Sequence, residues 1–326
     1  MGDFIRTPEV EARGIDVRYP RSPEADALLG AWREASLGWG IPEEILARAP
    51  QSPWGYRKKI FARRAERQIE AREGRSLARA EEALPRGGSV LDVGAGGGAS
   101  CLPLAERAAS IVALDSDPDM LESLVSRGAQ LQVPVSTITG RWPDVAPETP
   151  VTDVVVCHHV LYNVPELEPF VEALTSHARC RVVVEMTVRH PLMPGNPLWL
   201  RFHGLLRPER PSADDAVAAL QALGLNPRQE RWITPSVWSY DSFEEMVDEW
   251  TRRLCLTDER KPEVAEALID LGVDPAHPVG LGAGRPVVTI WWDGWEVGGV
   301  APLPERTGLP TPEGPSPRDQ GAGGRP

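Results

Sequence analysis

Ser89 to Ala105 reads SVLDVGAGGGASCLPLA, and this stretch decides the fold. Ser89 to Val93 is a short apolar run of strand length, and Gly94, Gly96 and Gly98 then recur at alternate positions. Glycine has no Cβ, so it turns the chain sharply and lets another group come close to the backbone. The pattern predicts a buried strand that enters a tight turn facing a ligand. Two ligand classes stay open on these residues. Scored as GxGxxA through Gly94, Gly96 and Ala99, the turn is close to a dinucleotide fingerprint, which would make the chain a nicotinamide (NAD(P)) oxidoreductase. Asp92, at the strand end just before the turn, favours a ligand carrying an ammonium group, because a carboxylate there repels a pyrophosphate.

On either side of this turn the pattern divides into regions. Residues 1–85 carry helical periodicity without a strand, at Ala25 to Glu34 and over a long Arg/Glu/Ala-rich stretch from Tyr56 to Leu84 that Gly74 interrupts. From Ser89 onward, β-branched runs alternate with helical segments, as in parallel βαβ units. Strands are predicted at Ser89 to Val93, Ile111 to Asp115, Val135 to Thr139, Asp153 to Cys157 and Arg181 to Met186, with helices at Ala99 to Ala109, Pro118 to Arg127 and Glu166 to His177. A Pro-rich stretch from His190 reads as an ordered loop. A helix at Ser212 to Leu223 and a strand near Gln229 to Ile233 follow. A helical insertion (240–278) precedes a last strand at Val287 to Trp292. The expected organisation is an N-terminal helical cap (1–85), an α/β domain (86–300) and a Pro/Gly-rich disordered tail (301–326).

Composition narrows the classes further. The 326 residues are 41% hydrophobic and 25% charged, within the globular range, and no run is long and apolar enough for a membrane span. The first residues show no secretory signal, so a cytoplasmic location is expected. Thirty-five Lys and Arg against 47 Asp and Glu give a net charge of −12, a field that repels polyanions and argues against DNA. One local exception is Tyr56 to Ala80, with nine Lys or Arg and three Glu, which leaves an RNA-binding patch open beside a solvated helix face. The four cysteines have no CxxC spacing and read as reduced thiols, with no metal site.

IVALDSDPDML ends a second strand at Asp115, placed to accept hydrogen bonds from both hydroxyls of a ribose. Together, DVGAGGG and ALDSDPDML resemble the class I S-adenosylmethionine-dependent methyltransferases, whose first motif is an acid followed by GxGxG. The resemblance implies a doubly wound Rossmann-like seven-stranded sheet of order 3-2-1-4-5-7-6 with the last strand antiparallel. It implies S-adenosyl-L-methionine as cofactor, with Asp92, Gly94, Gly96 and Gly98 at its aminoacyl end, Asp115 at the ribose, and Ser116 and Met120 flanking the adenine. Many members carry Gly-Asp after the third strand, with the acid on the adenine amino group. This chain has Gly140, Arg141 and Trp142 there, so adenine recognition falls to backbone groups and to Trp142, which serves equally well as a plug at the core edge.

Cys157, His158 and His159 close the fourth strand, at the carboxyl edge where open α/β sheets bind ligands. By resemblance, side chains here lie near the transferable methyl. His158 or His159 is a candidate general base, and the bland alternative is packing under the cofactor. Glu185, at the end of the fifth strand, is a candidate for orienting substrate or sulfonium. No NPPY or DPPW occurs, which removes the usual machinery for methylating adenine or glutamine amides. By resemblance to helical caps in this family, Trp54 and Tyr56 are candidates for closing over the cofactor. Trp199, Phe202 and His203 are candidates for the wall of a small-molecule site. The acceptor is expected to be a small molecule. An RNA acceptor is the nearest alternative, and a cofactor-binding protein without catalysis is the non-enzyme one.

Overall fold

The computed structural model describes residues 22–54, 58–234 and 240–294. The predicted tail and Tyr56 lie outside them. Seven strands form one sheet in the order β3-β2-β1-β4-β5-β7-β6. They are β1 (Gly88–Val93), β2 (Ala108–Asp115), β3 (Val135–Thr139), β4 (Thr152–His158), β5 (Ala178–Thr187), β6 (Arg228–Ile233) and β7 (Pro286–Asp293). The first five pair in parallel, and β7 runs antiparallel to both β5 and β6.

The helices are α1 (Pro23–Leu37), α2 (Glu43–Leu46), α3 (Lys58–Ala71), α4 (Arg75–Ala83), α5 (Pro118–Gln130), α6 (Leu167–Ser176), α7 (Asn196–His203), α8 (Ala213–Ala222), α9 (Phe243–Arg253) and α10 (Lys261–Asp270). Side chains alternate across a strand, so each strand feeds two cores. Leu91, Val155, Val182 and Ile290 pack on one face with Trp32 of α1, Phe170 of α6 and Leu220 of α8. Val90, Val154, Val183 and Trp291 pack on the other with Leu77 of α4, Leu102, Leu104 and Leu124 of α5.

A third core takes no side chain from the sheet. Ile41 beside α2, Leu198 and Trp199 of α7, Met246 and Trp250 of α9, and Val264 and Leu268 of α10 form it. Trp199 and Phe202, expected as a pocket wall, belong to this cluster, and His203 makes a 2.6 Å bond through Nε2 to the Leu254 carbonyl. The stretch after β5 is therefore a short helix serving a core rather than a loop lining a pocket.

The expected helix from Ala99 to Ala109 is absent. A 3₁₀ turn at Leu102–Leu104, with Pro103 in its first turn, takes its place, and β2 begins already at Ala108. Pairing with β1 claims Ala108 and Ser110 for the sheet despite their helix-favouring neighbours. Among the described residues no helix is long and apolar enough to cross a membrane.

Candidate functional site

Gly94, Gly96 and Gly98 all have positive φ, at 76°, 49° and 89°, the left-handed region that other residues enter at a cost. The turn is pinned to β2, because the amides of Gly94 and Ala95 both donate to the Leu114 carbonyl, at 2.8 and 2.9 Å. Asp115 completes the frame: its Oδ2 accepts from the Gly96 amide at 2.8 Å and its Oδ1 from the Asp117 amide at 3.0 Å. Asp117 caps α5, accepting from the Asp119 amide. Ser116 is exposed, and Met120 is buried at 7% exposure on α5. The Gly140 amide donates to the Asp115 carbonyl at 3.0 Å, which brings the 140–142 backbone beside Asp115. Arg141 is exposed, whereas Trp142 is turned into the core. Its indole N–H donates to the Phe170 carbonyl at 3.1 Å, and its ring meets His177 edge-on.

Strand alternation gathers the remaining candidates. Asp92 shares the face of Val90, His158 that of Val154 and Val156, and Glu185 that of Val183. β1, β4 and β5 are neighbours in the sheet, so the three side chains form a polar row along its carboxyl edge. The row continues through Thr289 of β7, which lies opposite Glu185 and accepts from the Trp232 indole N–H at 2.9 Å. Helix α3 and the start of α4 roof it. The resulting pocket is lined by Ser100, His158, Glu185, Trp232, and Arg64 and Gln68 of α3.

Burial sets the charge state of each group. It pushes the Asp92 carboxyl up to about 6, a rise that the Ser100 hydrogen bond opposes and that Asp115 adds to. Asp92 is 0% exposed, and while its Oδ2 accepts from the Ser100 hydroxyl at 2.5 Å, its buried Oδ1 has no partner. Burial pushes His158 down to about 4, so it is neutral at pH 7, and its buried Nε2 has no partner either. His159 is also pushed down, by burial and then by Arg64. Burial alone would raise Glu185, but the His159 hydrogen bond, the neighbouring histidines and the Arg64 guanidinium outweigh it and hold the carboxyl well below its usual range.

His159 is fixed at two points. Its amide donates to the Glu185 carbonyl at 2.7 Å and its Nε2 lies 3.0 Å from Glu185 Oε1, with a left-handed φ of 60° that is uncommon outside glycine. Arg64 approaches the same carboxylate at 3.7 Å. Arg64 and Ser100 were not singled out by the sequence. Arg64 reads there as one charge among nine on a basic helix, and only the packing of α3 over the turn gives it an address. That packing is close: a Cβ on Gly97 would come within 2.9 Å of the Phe61 carbonyl oxygen. Trp54 is half exposed and lines no part of the pocket, and Cys157 is a buried thiol in the core.

Residues 90–180 match the family model described as a methyltransferase domain. The resemblance carried by the glycine turn and Asp115 holds on this ground, and the cofactor of this domain is S-adenosylmethionine. No curated protein matches the chain. Among solved structures, a cyclopropane-fatty-acyl-phospholipid synthase-like protein from Lactobacillus casei ATCC 334 is 14% identical, with 77% of this chain and 98% of that one covered and a TM-score of 0.47. Magnesium protoporphyrin IX methyltransferase from Synechocystis PCC 6803, with bound S-adenosylhomocysteine, is 18% identical over 63% of this chain and 93% of that one, at 0.43. Precorrin-6Y C5,15-methyltransferase from Geobacter metallireducens GS-15 is 13% identical over 67% and 85%, at 0.39. Likenesses at this level carry no argument about an acceptor.

Proposed function

We propose that this chain transfers a methyl group from S-adenosylmethionine to a small polar acceptor held between the glycine turn and Glu185. The observation that carries the reading is the unpartnered, buried Oδ1 of Asp92 beside a left-handed glycine turn framed by Asp115. An ammonium group satisfies that oxygen, and a pyrophosphate would be repelled by it. In this reading Asp92, Gly94, Gly96 and Gly98 hold the aminoacyl end, Asp115 the ribose, and Ser116 and Met120 the adenine. The segment 140–142 offers its backbone, since the Trp142 ring is spent on the core.

S-adenosylmethionine supplies an electrophilic methyl group on a sulfonium. The chain supplies position and a place for the proton. His158, neutral and lining the pocket, takes the proton from an acceptor hydroxyl or amine as the methyl leaves the sulfonium sulfur and its bond to the acceptor forms. Glu185, kept ionised, lies beside both histidines and offsets the charge that the imidazole gains. The mainly polar lining, with Arg64, Gln68 and Thr234 among it, suits a small hydrophilic acceptor.

The RNA alternative has less support. Arg63 pairs with Asp241 and Glu245, Arg64 with Glu185, and Arg72 with Glu81 and Glu106, so these cations of the basic stretch are engaged by carboxylates of the chain itself. Residues 1–85 act in this reading as a cap over the methyltransferase domain, with the 240–278 insertion completing the helical wall.

A melting experiment tests the assignment. A ligand at 100 times its dissociation constant stabilises the fold by about 2.7 kcal/mol. S-adenosylhomocysteine is expected to raise the melting temperature and NAD to leave it unchanged. A shift with NAD alone would overturn the reading.

A further inference from the structure

Ser100 stands between Asp92 and the pocket. It is 8% exposed, it lines the pocket beside Ala99 and Pro103, and its hydroxyl donates to Asp92 Oδ2. Asp92 itself is absent from the pocket wall, so it meets a ligand only at the margin that Ser100 defines. A carboxylate at the end of a strand has one free torsion at its head. The Ser100 bond fixes that torsion by engaging Oδ2, and the oxygen left over, Oδ1, is the one that lacks a partner. The hydroxyl also distinguishes protonation states: as a donor it stabilises the carboxylate.

We propose that Ser100 is a positioning residue for the cofactor, holding Asp92 ionised with Oδ1 turned to the ammonium group of S-adenosylmethionine. This rests on the cofactor assignment made above. The other groups around Asp92 do not replace it. Cys101, on the same turn, directs its Sγ to the Gly98 carbonyl at 3.9 Å, and its thiol is pushed far up by burial. Asp115 of β2 opposes ionisation. On β4, burial pushes the Cys157 thiol far up, and His158 is neutral. Arg64 of α3 is directed to Glu185 of β5, and the pocket's other carboxylate, Glu73, precedes α4. Loss of the Ser100 hydroxyl therefore leaves Asp92 buried with weaker support for its charge, and its titration moves toward neutral pH.

Calorimetric titration with S-adenosylhomocysteine across pH reads this directly, without an acceptor. Ser100→Ala is expected to bind within about twofold of the unaltered protein at pH 8 and at least roughly fivefold more weakly at pH 6, as a shift of about one pH unit in Asp92 dictates. Ser100→Thr, which keeps the hydroxyl, is expected to restore the original profile. Ser100→Cys keeps the volume with a poorer donor, and is expected to shift the profile in the same direction by less, so the test survives if the Ala variant does not fold. An equal loss at both pH values, or no loss at either, would overturn the proposal while leaving the cofactor assignment standing. Failure of the unaltered protein to bind S-adenosylhomocysteine at any pH would overturn both.

Discussion

Asp92→Asn is expected to make the free protein more stable and to cost on the order of a hundredfold or more in affinity for S-adenosylhomocysteine. The two effects share a cause. Asp92 is fully buried, and its carboxyl sits at about 6 against an ordinary 3.8. A folded-state value above the unfolded one means that the folded chain holds the extra proton between these limits. Stability contributed by this group therefore falls as pH rises from about 4 through 6, and the full penalty stands above 6. Asn has the same shape, still accepts from Ser100, and carries no charge. The expected gain at pH 8 is about 1 to 3 kcal/mol, fading below pH 4, where Asp92 is itself neutral. With ligand the sign reverses, because a buried ammonium that has lost its carboxylate costs about 3 to 5 kcal/mol. Urea unfolding of the free protein and calorimetry with S-adenosylhomocysteine measure the two halves. A variant that bound within threefold of the original would remove Asp92 from the site, and one that unfolded more easily at pH 8 would contradict the burial argument.

Gly98→Ala is expected to destabilise the fold by about 3 kcal/mol. Part of this is conformational, since a left-handed φ costs an L-residue about 1 to 2 kcal/mol. The rest is steric. A Cβ at Gly98 would lie 2.6 Å from Leu102 Cδ1 and 2.9 Å from Leu124 Cγ, in a core where overpacking costs about 1 to 3 kcal/mol. Gly87 is the internal control, with a φ of 74° and nothing within 4 Å of its would-be Cβ. Gly87→Ala should show the conformational part alone, about 1 kcal/mol. Equal losses in the two variants, read by urea unfolding, would mean that the turn yields and that Leu102 and Leu124 do not constrain it.

The sheet was legible from the β-branched runs, because parallel strands buried on both faces must be nearly continuous in apolar residues. The grouping of Asp92, His158 and Glu185 follows from that reading by parity: each lies two residues beyond a buried valine of the same face. The sequence could not say what covers them. The periodicity of α3 defines an exposed and a covered face but names no partner, so Arg64 and Arg63 read as one basic patch although one meets Glu185 and the other Glu245. Trp199 and Phe202 misled for a related reason, since an aromatic residue in a Pro-rich stretch suits a ligand wall and a small core equally well. The Ala99 to Ala109 run misled because local helix preference is weak beside a strand pairing that begins at Ala108.

The helical core has an implication for biogenesis. Its members come from three remote stretches of chain, at Ile41 to Ala49, Leu198 to Leu205 and Tyr240 to Leu281. Contacts so distant in sequence form late, because loop closure must precede them. As the polypeptide emerges from the ribosome, Ile41 and Ile45 wait without their mates until five of the seven strands have been made. The first five strands can assemble while the helical wall is still incomplete. In vitro translation arrested near residue 230 should yield a chain in which the β1 to β5 region resists protease and the 38–54 stretch is cut.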